Sequence, residues 1–259
     1  MLTRSPSGEA SAADAWQLAS LRRDAWRAAL PCFLLLAAIA VLLALLGALG
    51  PWFHFKTLLA FAAAFALVLW SLGAHAPNGR FGAANRVTLA RLAMICVLAA
   101  AIGERADERL AWTCVALAAI AALLDALDGP LARRGGLTSA FGARFDMETD
   151  ALLVLVLSLL VLHFGKAGAW IVAAGLMRYV FLLAARPWPW LARTLPPSLR
   201  RKTACVVQIC ALIACLAPAV APPWSHALAA ASLALLAASF AIDIAWLMRR
   251  RHLHLETLR

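Results

Sequence analysis

Five of the chain's 13 acidic residues fall in one 26-residue stretch, DALDGPLARRGGLTSAFGARFDMETD, from Asp125 to Asp150. Asp125 and Asp128 are spaced i, i+3, and Asp146 and Asp150 are spaced i, i+4, so on helices each pair shares one face. Glu148 is two residues from each neighbour and should point elsewhere. Four carboxylates held close together repel one another unless a cation neutralises them. All-oxygen ligation favours a hard ion, Mg²⁺ or Mn²⁺, and two such ions would form a clamp suited to phosphoryl chemistry. Between the pairs, Gly129, Gly135, Gly136 and Gly142 let backbone approach a phosphate, and Arg133 can bind one bidentately. Pairing with Arg133, Arg134 and Arg144 in a polar loop would explain any one of these acids. It does not explain two pairs at matched helix ends.

The elements that position these acids are apolar. The 259 residues are 64% hydrophobic and 14% charged, with a mean hydropathy of +0.83. A soluble domain carries about a quarter charged residues, so the composition predicts an integral membrane protein. A span needs ~20 apolar residues. That length predicts eight transmembrane helices at about 30–49, 55–74, 86–103, 110–128, 146–164, 168–185, 203–221 and 226–247. Gly50-Pro51, Gly129-Pro130, the stretch Pro187 to Pro197 and Pro222-Pro223 punctuate them. Both aspartate pairs then sit where the fourth and fifth spans meet, facing across a tight loop.

Charge fixes the expected orientation. Of 24 basic residues, only Lys56, Arg105, Arg109 and Lys166 fall on one side of the eight-span arrangement. By the positive-inside rule the other side is cytoplasmic, with both termini and the aspartates. This placement also accounts for the net charge of +11 without nucleic acid, for which there is no soluble basic domain. The first 26 residues are polar, and Ala13 to Arg27, weakly amphipathic, predicts a juxtamembrane helix lying on the anionic surface. Trp188 and Trp190 read as interfacial anchors. Cys32, Cys96, Cys114, Cys205, Cys210 and Cys215 lie in apolar runs without metal-ligand spacing, so neither disulfides nor zinc are expected.

The pattern Asp125-x2-Asp128-Gly129-x2-Ala132-Arg133-x8-Gly142-x3-Asp146-x3-Asp150 resembles the signature of the CDP-alcohol phosphatidyltransferase family at all eight fixed positions. The resemblance implies an all-α membrane fold whose six-helix core covers residues 77–248. A cytoplasmic segment (1–27) and two additional spans (28–76) would precede the core, and a basic tail (249–259) would follow it. It implies a multi-pass protein of the bacterial inner-membrane type acting in phospholipid biosynthesis. Such an enzyme moves a phosphatidyl group from a CDP-linked lipid donor, such as CDP-diacylglycerol, to an alcohol acceptor and releases CMP. Asp125, Asp128, Asp146 and Asp150 would bind two Mg²⁺ or Mn²⁺ ions, and Asp150 would act as general base. Gly129, Ala132, Arg133, Gly142 and Ser139 would receive the donor. Relatives are often homodimers.

Other segments fit the same picture. Asn85-x2-Thr88-x2-Arg91, with Asn85 as the expected N-cap of the third span, resembles a donor-contacting stretch of the family. Arg178, inside the sixth span, and Arg201-Lys202, entering the seventh, are expected phosphate or acceptor contacts. Asp243 should pair with Arg249 or Arg250. A transporter would instead predict internal repeats and midplane acids. A prenyltransferase would place its two aspartate motifs far apart in sequence.

Overall fold

The computed structural model describes residues 6–256 except 46–48, 76–80, 136–139, 194 and 197. Regular structure among the described residues is entirely helical, as expected. In chain order the helices are α1 (Pro6–Leu45), α2 (Phe53–His75), α3 (Ala83–Ala100), α4 (Glu108–Gly135), α5 (Ala140–His163), α6 (Val172–Ala184), α7 (Leu199–Leu216) and α8 (Trp224–Glu256). Short 3-10 turns at Ala169–Ile171 and Pro189–Ala192 flank α6. Among the described residues, four helical stretches are long and apolar enough to cross a membrane: Leu18–Leu42, Phe53–Leu72, Ala83–Ala100 and Trp224–Arg250. Ala169–Ala184 is a shorter apolar helix.

Three boundaries differ from expectation. The amphipathic stretch before the first span is collinear with it, in one 40-residue helix that continues through Pro31. Likewise α4 runs past Gly129-Pro130 to Gly135. A proline inside a helix removes one backbone hydrogen bond and strains the turn before it, but does not by itself end the helix. At α3 the N-cap is Gly82, with φ +73°, and Asn85 falls in the first turn. Only glycine adopts that left-handed conformation without cost, so the chain turns into α3 at Gly82.

The chain divides into two compact units, residues 1–105 with 120–150 and residues 106–119 with 151–259. In the first, α1, α2 and α3 pack against one another. Helix α3 is buried around most of its circumference, through Leu89, Leu92, Ile95, Cys96, Val97 and Leu98, the pattern of a core helix. By contrast α1 and α2 keep Leu30, Leu34, Leu35, Leu59, Leu67 and Trp70 exposed, the composition of a lipid-facing surface. Trp26 meets Phe65 edge-on at 4.9 Å, and Phe65 stacks on Phe61 at 6.2 Å. At one end the Glu104 carboxylate accepts the Gly50 backbone N–H at 2.6 Å and the Lys56 ammonium.

In the second unit α7 packs on α8. The buried stripe of α8 runs through Ser225, Ala229, Ser232, Leu236, Ser239, Asp243 and Leu247, a helical period with polar members. Arg200 donates to the Ser239 carbonyl and hydroxyl, each at 2.5 Å, and to Asp243 Oδ1 at 2.5 Å. Arg201 Nη1 lies 3.5 Å from the same carboxylate oxygen. Asp243 is therefore paired across α7 and α8, not along α8 with Arg249 or Arg250. Arg250 instead lies over the Trp246 ring at 4.3 Å. Lys166 donates to the carbonyls of Ala217 at 3.1 Å and Val220 at 2.8 Å, closing the C-terminal end of α7. All six cysteines are free thiols.

Candidate active site

Segments of three helices within the first unit build the site. Helix α3 supplies Arg91, whose side chain is 0% exposed. An arginine in an apolar helix must find acceptors for five N–H groups. Its Nε donates to the Ala121 carbonyl of α4 at 3.1 Å. Nη1 lies 2.7 Å from Asp125 Oδ1 and 2.8 Å from Asp146 Oδ1, while Nη2 pairs with Asp150 Oδ1. One guanidinium thus gathers carboxylates from two other helices. Thr88, one turn before Arg91, is also buried, and its hydroxyl donates to the Ala84 carbonyl at 3.1 Å.

Helix α5 divides its faces by chemistry. Asp146 and Asp150, one turn apart, turn toward Arg91. Phe145, one residue before Asp146, and Phe141, one turn earlier, are buried and stack at 5.7 Å, and Phe81, just before α3, joins them at 6.4 Å from Phe141. Aromatic packing therefore holds the start of α5 against the entry to α3, which sets the height at which the acids meet Arg91. Thr149, between the acids in sequence, is buried and donates to the Phe145 carbonyl at 2.8 Å. Glu148 is exposed on a different face, as its spacing predicted.

Asp125, Asp146 and Asp150 each offer a carboxylate oxygen, and these oxygens lie within 4.8 Å of one another. Their side chains stay 24%, 41% and 24% exposed, so the cluster opens outward while Arg91 is sealed behind it. Three carboxylates against one guanidinium leave two formal negative charges in a partly desolvated setting. A divalent cation matches that balance, and an all-carboxylate set is the donor chemistry of a hard ion. The residues present fit such a metal.

Other expected site residues fall as follows. Gly142 is in the first turn of α5, one turn before Asp146, and Asn85 is half-buried in the first turn of α3. Asp128, Gly129, Ala132 and Arg133 belong to the last turns of α4, with side chains outside the described residues. Ser139 lies outside the described residues altogether. Arg178, Arg201 and Lys202 belong to the second unit. There Arg178 is mid-α6, Arg201 donates to the Pro196 carbonyl, and Lys202 is exposed.

A family model for CDP-alcohol phosphatidyltransferase matches residues 81–242, well over half of the chain. The chain belongs to the CDP-alcohol phosphatidyltransferase family. No significant match exists among curated proteins or among solved structures. The match begins at Phe81, so α1 and α2 precede the family region, and it contains Arg91 and all four aspartates of the signature. Membership makes this chain a membrane phosphotransferase that draws on a CDP-alcohol and an alcohol.

Proposed function

We propose that this family member transfers a phosphatidyl group from a CDP-linked lipid such as CDP-diacylglycerol to an alcohol acceptor, with release of CMP, in phospholipid biosynthesis. The observation that carries the reading is the convergence of Asp125, Asp146 and Asp150 within 4.8 Å on the outward side of a buried arginine. Asp125, Asp128, Asp146 and Asp150 would hold Mg²⁺ or Mn²⁺. Once bound, the metal supplies neutralisation of the diphosphate charge and of the departing phosphate.

The chain's own groups do the rest. Asp150 accepts the proton of the acceptor hydroxyl. The alcohol oxygen forms a bond to the lipid-side phosphorus. The bond from that phosphorus to the bridging oxygen breaks, and its electron pair leaves with CMP. Arg133 and the glycines of α4 and α5 would receive the nucleotide, while Asn85 and Thr88 border it from α3. Arg178, Arg201 and Lys202 are cationic candidates for a phosphate-bearing acceptor. The basic residues on one side of the spans argue for a cytoplasmic site.

The test is direct. Purified protein in lipid nanodiscs receives CDP-diacylglycerol, Mg²⁺ or Mn²⁺, and one acceptor at a time: glycerol 3-phosphate, serine, inositol, inositol phosphate, choline or phosphatidylglycerol. CMP release with one of them, a matching new lipid by mass spectrometry, and loss of both on chelation are expected. Failure of CDP-diacylglycerol to bind in the presence of metal would remove the assignment.

A further inference from the structure

We infer that Arg91 and the divalent cation are alternative counter-ions for one set of carboxylates, so that cation binding is an exchange against a guanidinium already in place. The inference rests on the metal-site reading above and assigns Arg91 a positioning role that the resemblance to donor-contacting segments does not include.

The geometry behind it is specific. Arg91 addresses Asp125 Oδ1, Asp146 Oδ1 and Asp150 Oδ1 together, and among the described residues these three have oxygens close enough to share an ion. Its Nε is tied to the Ala121 carbonyl, so the head group is held from behind by backbone while both Nη atoms face the acids. A hard cation binds carboxylate oxygen at roughly 2.0–2.1 Å. Reaching these oxygens puts it within a few ångströms of a guanidinium whose Nη1 is 2.7 and 2.8 Å from two of them. Two cations at that separation repel strongly in a site of low dielectric. The Nη contacts must therefore lengthen as the ion enters.

Two consequences follow from one cause. Arg91 keeps three mutually repelling acids assembled until a cation replaces it, and it lowers the apparent affinity for that cation. The second effect is the ordinary reduction in affinity when the binding-competent arrangement is only part of the population. A purely structural arginine makes the opposite prediction: its removal disorders the acids and weakens cation binding.

The experiment titrates Mg²⁺ or Mn²⁺ into full-length protein in nanodiscs, using calorimetry for affinity and intrinsic fluorescence of the 10 tryptophans for thermal stability. The wild type should bind cation saturably and Asp146→Asn should bind more weakly. No saturable binding to the wild type would overturn the metal site itself, and with it this inference. In Arg91→Gln, Tm without added divalent ion should fall by several degrees. The Tm rise on adding the ion should exceed the wild-type rise, and the apparent Kd should drop about tenfold, the scale of one lost charge-assisted competitor. Arg91→Lys, which keeps one charge but not the fork, should give an intermediate Kd and stands in if Arg91→Gln fails to fold. Equal or weaker cation binding by the folded variant, with wild-type binding intact, would overturn the exchange and leave the metal site standing.

Discussion

Lys56 of α2 and Glu104 of the turn between α3 and α4 form an ion pair, and the same carboxylate accepts the Gly50 N–H at 2.6 Å. The Glu104 side chain is 7% exposed. Removing one member of a buried, charge-assisted set strands the others. Glu104→Ala should therefore lower stability by about 1–3 kcal/mol, read as a lower Tm. Limited proteolysis between α1 and α2 should quicken, while transfer per folded molecule should hold steady because the pair lies outside the aspartate cluster.

Asp150→Asn keeps the shape of the side chain and removes its capacity to take a proton. A general base contributes about 100- to 10,000-fold, so CMP release should fall by at least that lower bound. Circular dichroism and gel-filtration behaviour should match the wild type. Full turnover by this variant would remove Asp150 from the proposed role.

The Arg200–Asp243 pair calls for a double-mutant cycle. Arg200→Ala leaves Asp243, 9% exposed, with the more distant Arg201 as its nearest described cation, and should destabilise by about 3 kcal/mol. Adding Asp243→Ala should restore much of that loss, because the coupling term disappears with both partners absent. Melting of the two single variants and the double variant gives the answer. A double variant destabilised by the sum of the two single variants would show that the two residues contribute packing and not a charge pair.

Gln208 of α7 is 0% exposed, and among the described residues neither amide atom has a hydrogen-bond partner. A buried, unmet amide costs about 1–3 kcal/mol. Gln208→Met, close in volume and flexible enough to fill the site, should raise Tm. If Tm drops, the amide has a bonded role that the packing of α7 does not reveal.

The acids were legible in the sequence because spacing along a helix converts directly into a shared face, and Asp125, Asp146 and Asp150 do converge. Helix number and order were legible because apolar runs set apart by Gly, Pro and charged residues admit little else, although among the described residues only four of the stretches are long and apolar enough to cross a membrane. What the spacing could not give was the partner across the gap. Arg91 read as one more residue of a donor-binding segment, yet an ionisable group inside an apolar helix was itself a signal that an acid must lie opposite. Asp243 was matched to arginines on its own helix, but α8 is apposed to α7 and the nearer cation is Arg200. Gly175 shows the same limit. A Cβ there would run into the Leu155 backbone, a demand for glycine that only the contact between α5 and α6 explains.

One atom of the site has a different kind of permanence. The anchor for Arg91 Nε is the main-chain oxygen of Ala121, and no codon change at position 121 deletes a carbonyl. Evolutionary drift can test side chains there against the tight space, since Ala121 is 0% exposed, but the anchor is inherited with the helix itself. A single substitution can remove a carboxylate or the arginine itself, but not the oxygen that aims the guanidinium.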